Sequence, residues 1–382
     1  MFFIAYFIVA LACFAITLKT MIGYTGIRKS NKIIIAAIFA FGWFSPLIIS
    51  ALRNITGLPN AIFSSVSVVG YTLMGFSFIV FCLILLRDIF WYGIYGLARA
   101  MGKDGWSLNP KNISVLGRAN FIIVIISTII SVYAFYQGTK IPDFKNIRVE
   151  HHLLKNDIRL VQISDLHINR STPVSRIHKI VNAVNNTNPD LIVLTGDIVD
   201  DDTFHLQKHL DALQNMSSSY GVYASIGNHE FYNGLSSWIY EYQRRGINLL
   251  FNQGATINDN IFVAGVPDAF TANSNPSLNI NFTHTLSGSN RDQYRVLLSH
   301  NPEIANSISS YNFQMMLSGH THGGQLFPFH IFVKKSNQYL SGEYDVNGIK
   351  LYVSNGAGTW GPSMRLFAPS EITVIDLIKK EK

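Results

Sequence analysis

Hydrophobic positions along this 382-residue chain obey two different rules. Up to residue 140 they come in long runs without a single charge. These are FFIAYFIVALACFAITL (2–18), IIIAAIFAFGWFSPLIISAL (33–52), IFSSVSVVGYTLMGFSFIVFCLILL (62–86) and FIIVIISTIISVYAFY (121–136), the last widened to 119–137 by uncharged flanks. Apolar runs of about 17–25 residues match the hydrocarbon core of a bilayer, so this half predicts a four-helix transmembrane segment. The aromatic-rich DIFWYGIYGLARA (88–100) either lies in the interface as an amphipathic helix or lengthens the third span.

Beyond residue 140 the apolar runs are short and end in a small residue: IRLVQIS, LIVLTG, GVYASIG, YRVLLS and FQMMLSG. Rich in Val, Ile and Leu and bounded by Gly or Ser, they read as buried strands. VAGVPD, ending in Asp268, reads as a further strand end. Between the first two, residues 174–186 place Ile177, Ile180, Val181 and Val184 at spacings of three and four, which predicts an amphipathic helix. A second helix is expected over SSWIYEYQRR (236–245). The predicted organisation is a membrane region over 1–140, a juxtamembrane linker over 141–156 and an α/β domain over 157–378.

Charge sharpens this division. Residues 1–140 hold eleven Lys/Arg against Asp88 and Asp104, a net +9, so the remainder carries −2 of the overall +7. The basic balance therefore belongs to the membrane half and does not describe a nucleic-acid-binding face. The first connection holds Lys19, Arg28, Lys29 and Lys32, the third Arg87, Arg99, Lys103, Lys111 and Arg118, and the second only Arg53. Positive loops stay in the cytoplasm, which puts both termini and the α/β domain on the outer face. The first run lacks a basic start and is expected to remain a span rather than a cleaved signal. Both cysteines, Cys13 and Cys82, fall in spans, and a cysteine-free domain suits an oxidising compartment.

All twelve histidines follow residue 150. LSGHTHGGQ (317–325) sets His320 and His322 two apart among glycines. That is either a polar turn or a metal site, imidazole being a common ligand. The other strand ends decide in favour of metal, because each delivers ligand-type side chains: Asp165 and His167, Asp197, Asn228 and His229, and His300. In extended chain residues i and i+2 share a side, so Asp165 with His167, and His320 with His322, are each expected to face one centre. Glycines leave room for close approach. Two Asp, one Asn and four His, with no thiolate, exceed one closed zinc site and suit two metals sharing a carboxylate. Manganese, iron and zinc all fit such donors. Asp201 and Asp202 read as a solvated acidic turn, and His151, His152, His178, His205, His209, His284 and His330 as surface or structural residues.

The blocks DLH, GDIVD, GNHE, LLSH and GHTH, in this order over about 157–378, resemble the calcineurin-like metallophosphoesterases. GHTHGGQLFP and the tail LYVSNGAGTWGPSMRLFAPSEITVIDL look like the membrane-associated bacterial branch of that family. The resemblance implies a two-sheet αββα sandwich. It implies that Asp165, His167 and His322 bind one divalent metal, that Asn228, His300 and His320 bind a second, and that Asp197 bridges them. It gives His229 a catalytic role at the leaving group or a phosphate oxygen, while Asp200 and Glu230 complete the motifs. Arg365 is a candidate phosphate contact and Asp268 a candidate pocket residue. Two cations so held activate a water for in-line attack on phosphorus.

The implied substrate is a phosphodiester, phosphomonoester or pyrophosphate. With four spans, it is expected to be lipid-linked or part of the envelope. The alternative reading is a UDP-2,3-diacylglucosamine pyrophosphohydrolase of lipid A synthesis at the cytoplasmic face. A non-catalytic membrane binding module is a second alternative, disfavoured because all seven ligand positions are filled. Acidic and histidine side chains are missing from the spans, which disfavours a transporter.

Overall fold

The computed structural model describes every residue except 1, 24–25, 56, 104–108, 111, 270, 272–277 and 382, with the side chains of residues 2 and 3 also outside the description. Lys111, counted above in the third connection, is among the residues left out. The chain divides into two compact units, Met1–Tyr136 with Gly361–Met364, and Gln137–Trp360 with Arg365–Lys382.

In the first unit the uncharged runs are helices: α1 (Phe2–Leu18, continued by a π turn over Lys19–Gly23), α2 (Lys29–Arg53), α3 (Asn60–Ala100) and α4 (Ile113–Thr139). All four are long and apolar enough to cross a membrane. Residues 88–100 do not form a separate interfacial helix; they continue α3, whose 41 residues form one helix. At 1.5 Å per residue that is about 60 Å, well beyond a hydrocarbon core of about 30 Å. Helices α2 and α3 meet at small residues. A Cβ on Gly42 would run into Leu73 O and Ser77, and one on Gly70 into Ser45. Close backbone approach at small residues is how helices associate where lipid removes the hydrophobic drive.

The second unit is built on two six-stranded sheets. The first has the order β1 (Asp143–His151), β12 (Glu371–Lys379), β2 (Ile158–Ile163), β3 (Leu191–Thr195), β4 (Val222–Ser225), β5 (Ile247–Leu249). The second has the order β10 (Gly342–Val346), β11 (Ile349–Val353), β9 (Met315–Ser318), β8 (Tyr294–Leu298), β7 (Ile261–Gly265), β6 (Gln253–Ile257). Strands β2 to β5 run parallel, as do β11, β9, β8 and β7. The six apolar runs read from the sequence are β2, β3, β4, β7, β8 and β9, and six further strands complete the sheets.

Alternation along these strands makes the layers. In β3, Leu191 and Val193 face the second sheet's Val263, Val296 and Leu317. Ile192 and Leu194 face the opposite way, among Ile177, Ile180, Val181 and Val184 of α5 (Val174–Asn185) and Trp238 and Tyr242 of the helix Leu235–Arg244. On the second sheet, Leu297 and Met316 turn outward toward Ala305, Ile308 and Phe313. A helical layer, two sheets whose central strands are buried on both faces and a second outer layer follow, which is why those central strands read as continuous apolar runs. Parallel order sends the carboxyl ends of β2, β3 and β4, and of β8 and β9, to one edge of the sandwich, where α/β folds place their sites.

Candidate metal centre

Each ligand-type residue sits just past a strand, but the chain there is not extended. Asp165, His167, Asp197, His320 and His322 all have positive φ, between 46° and 72°. Asp and His tolerate this left-handed region better than most residues, yet each such residue costs about 1 kcal/mol or more unless its surroundings impose it. The expectation that i and i+2 would face one centre through extended geometry is therefore corrected for the second pair. His320 and His322 diverge and join different groups. His322 lies with Asp165 and His167, and His320 with Asp197 and His300, the ligand atoms of each group lying within 4.8 Å of one another. A third group, His167, Asp197 and His229, overlaps both.

The first group is almost sealed from solvent: Asp165 is fully buried, His167 and His322 nearly so. His167 Nε2 and His322 Nε2 lie 3.0 Å apart, and His322 Nε2 is 3.4 Å from Asp165 Oδ1. Burial pushes His167 down to about 3 and His322 well below the ordinary imidazole range, with neighbouring imidazoles and Arg365 adding to it. Both rings are thus neutral, the form that binds metal. Burial, with Asp197 nearby, lifts Asp165 to about 6.

In the second group His300 Nδ1 faces the carbonyl of Thr195 at 2.9 Å. With the proton on that nitrogen, the Nε2 lone pair points at Asp197 Oδ2, 3.1 Å away. A lone pair facing a carboxylate is repulsive unless a cation lies between them. His300 is held well above its ordinary pKa for the same reason: burial disfavours its charge, but Asp197 and Asp165 outweigh burial. His320 Nδ1 is 3.3 Å from His300 Nε2, and burial lowers it to about 4. Asn228 opens the short helix Asn228–Tyr232, and its buried Oδ1 has no hydrogen-bond partner among the described residues. Three imidazoles kept neutral by burial, a fourth at His300 whose charge the carboxylates of Asp197 and Asp165 favour, and the orphaned amide oxygen of Asn228 are a donor set that fits two divalent cations, one of which would take the place of the His300 proton.

His229 stands over this arrangement. Its Nδ1 is 2.8 Å from Asp200 Oδ1, its Nε2 is 3.9 Å from Asp197 Oδ2, and its backbone N–H donates to Asp197 Oδ1 at 2.8 Å. Burial opposes its charge, but Asp197 and Asp200 raise it to about 9.

The support beneath the site was only partly visible in the sequence. Glu230 is fully buried and accepts from the N–H groups of Asp197 (3.0 Å), Ile198 (2.7 Å) and Gly227 (3.0 Å) and from Tyr242 Oη (3.0 Å). It holds the turns after β3 and β4 together. The motif position of Glu230 signalled it; nothing signalled Tyr242. Gly319 and Gly227 have no room for a side chain, since a Cβ would overlap Asp165 and Asp197 respectively. The tail block backs the same loop, Gly358 N–H donating to Asp165 O at 2.9 Å.

Two expectations change, those for Arg365 and Asp201. Arg365 is buried, and its guanidinium donates to the carbonyls of Gly358, His322, Ala368, Asn355 and Gly356, with Nη2 3.3 Å from His322 Nδ1. It braces the tail against His322 rather than reaching a phosphate. Asp201 is not solvated; it is buried in a two-pronged pair with Arg170 at 2.7 and 2.8 Å, while the half-exposed Asp202 pairs with His205. His209 is buried and bonded to Thr172 O at 2.7 Å, a structural role. Asp268 is fully buried, accepts from Thr271 N–H at 3.3 Å, and its charge is felt by His300 and Tyr232.

Comparison with known proteins agrees with this geometry. A 380-residue match to an uncharacterized metallophosphoesterase of Campylobacter jejuni is 30% identical and covers 90% of this chain and all of that one. The chain belongs to the calcineurin-like metallophosphoesterase family. The family model described as calcineurin-like phosphoesterase matches residues 158–324, from β2 through the glycines after His322. A metallophosphoesterase of Helicobacter pylori is 28% identical over 86% of this chain and 85% of its own. A zebrafish transmembrane protein with metallophosphoesterase domain is 29% identical over 80% of this chain and 73% of its own. As a metallophosphoesterase the chain is a metal-dependent hydrolase of phosphate esters, and its substrate contains phosphate. The carboxyl-end loops of β2, β3, β4, β8 and β9 carry the residues suited to that chemistry.

Proposed function

We propose that this metallophosphoesterase is a multi-pass membrane enzyme that hydrolyses a lipid-linked or envelope phosphoester, with its α/β domain on the outer face of a bacterial inner membrane. The observation that carries the catalytic part is the two ligand groups, Asp165, His167 and His322 and Asp197, His300 and His320, joined by the overlapping group His167, Asp197 and His229. In this reading Asp165, His167 and His322 hold one cation, Asn228, His300 and His320 a second, and Asp197 bridges them. Bound there, two divalent cations supply an activated water and positive charge for the phosphoryl oxygens. The protein's own part is to keep His167, His320 and His322 neutral by burial and to aim His300 Nε2 at the site by tying its Nδ1 to Thr195. His229, oriented by Asp200 and kept protonated by the two carboxylates, gives its proton to the departing oxygen. Asp268 shapes the pocket wall from beside His300. The second unit carries all of these groups, and the stretch 141–156 expected as a linker belongs to it through β1 (Asp143–His151).

Support for the lipid part is the four membrane-capable helices on the same chain, together with relatives named as transmembrane proteins. Support for the outer face is the basic bias of the first and third connections. The deciding experiment is a turnover screen of the purified full-length protein on phosphomonoester, phosphodiester and UDP-diacylglucosamine substrates, with elemental analysis of the same sample. Two divalent metals per active chain and loss of turnover on chelation are expected. One metal or none in active enzyme overturns the dinuclear reading. A phosphatase reporter fused after Tyr136 should be active. A dark phosphatase with an active cytoplasmic reporter there would move the domain inside and favour the pyrophosphohydrolase.

A further inference from the structure

Directly after the two glycines of GHTHGGQ the chain becomes apolar and exposed. Phe327, Phe329, Ile331 and Phe332 all face solvent, Phe332 with 62% of its surface open. Phe367, from the tail, is 80% open and stands against Phe327 with ring centroids 5.5 Å apart. Phe327 also stacks on His330 at 4.9 Å, and Phe329 lies 6.1 Å from Phe332. These side chains form one contiguous ledge. Single exposed hydrophobes are ordinary, but a joined aromatic patch marks an interaction surface.

The ledge is held rigidly. Leu326 and Leu366 form a parallel bridge, closed by Phe327 N–H to Leu366 O and Leu366 N–H to Gln325 O. Gln325 in turn clasps Trp360 through both its side-chain oxygen and nitrogen, at 2.9 Å each. Trp360, itself half-exposed, lies 6.4 Å from the ring of His229. The patch is therefore fastened to the rim of the metal centre. Its other border is basic: Lys334 and Lys335 end the short helix His330–Ser336 and are exposed.

We propose that this ledge is a bilayer-docking surface for anionic lipid. The aromatic rings and Ile331 enter the headgroup and upper acyl region, and Lys334 and Lys335 meet anionic headgroups. Aromatic side chains beside lysines are the side-chain combination that membrane interfaces favour. The occupant is argued from that charge and from the four membrane-capable helices on the same chain. Docked this way, His229 sits within reach of the headgroup layer. The inference concerns where the domain binds and does not depend on which phosphoester it cleaves.

The test uses the full-length protein in nanodiscs of phosphatidylcholine and phosphatidylglycerol at about 3:1, carrying Phe332→Cys or Ile331→Cys labelled with an environment-sensitive fluorophore. Ser309→Cys, exposed just before the start of β9 and so at the opposite end of the strands, is the control. Unsubstituted protein reports any label on Cys13 and Cys82. Shallow bromolipids should quench the labels at 331 and 332 about twofold or more and leave Ser309→Cys unchanged. Pure phosphatidylcholine, or Lys334→Glu with Lys335→Glu, should remove most of that quenching. Equal quenching at the control and ledge positions overturns the proposal, as does quenching indifferent to lipid charge. Concentration-dependent self-quenching without bromolipid quenching overturns it in favour of a second copy of the chain. Turnover of a soluble phosphodiester, which these surface changes should leave intact, shows that the variants are folded.

Discussion

The membrane helices and the carboxyl edge of the sandwich use hydrophobic residues in opposite ways. In α1 to α4 almost any apolar side chain serves at a lipid-facing position, since lipid and neighbouring helix are equally apolar; particular residues are demanded at crossings such as Gly42, Ser45, Gly70 and Ser77. At the sheet edges apolar strands act as a rigid mount. They end two or three residues before Asp165, Asp197, Asn228, His300 and His320, and hold the carboxylates of Asp165 and Asp197 in left-handed backbone at near-zero exposure. Tolerance to substitution should therefore be high in one region and close to nil in the other.

The sharpest way to break that contrast is Asp197→Ala. It removes the carboxylate common to two of the ligand groups and should lower turnover by roughly 10³-fold or more, with less metal in elemental analysis. Near-normal turnover would mean that the site does not depend on this bridge. His229→Asn should keep metal content while cutting turnover by roughly 10²-fold for poor leaving groups and less for activated aryl esters. Equal loss across a leaving-group series would assign His229 to positioning instead.

Beneath the site the effect moves from turnover to stability. Glu230→Ala strands three buried N–H groups and Tyr242, and should cost about 3 kcal/mol or more in chemical denaturation. Tyr242→Phe removes one of those bonds and should cost about 1 kcal/mol. If both variants melt like the parent protein, the mount is not what holds the turns. The smallest effect is expected in the other region. Ile129→Leu, on an exposed face of α4, should change thermal stability and turnover by no more than about 0.5 kcal/mol equivalent. A large change there would show a specific contact and weaken the contrast from its permissive side.

Legibility followed the same division. Length and absence of charge suffice to read α1, α2 and α4, because a bilayer asks for little else. They could not say whether 88–100 stops or continues, since the local pattern suits both; the structure carries α3 straight through. Strands β2, β3, β4, β8 and β9 were legible because burial on both faces leaves continuous apolar runs. β1, β10 and β12 do not read as continuous buried runs, and β1 and β12 pair with each other from opposite ends of the domain's sequence.

The sequence by itself determined which residue types gather at the strand ends, and in what order. It did not determine how they point. The positive φ of Asp165, His167, Asp197, His320 and His322, the divergence of His320 from His322, and the burial of Asp201 against Arg170 were decided by tertiary structure. The physical reason is that a left-handed Asp or His is locally unfavourable. It persists only where distant groups impose it: Glu230 on the Asp197 turn, Gly319 and Gly358 against Asp165, and Arg365 against His322. None of those partners is adjacent in sequence to the residue it constrains.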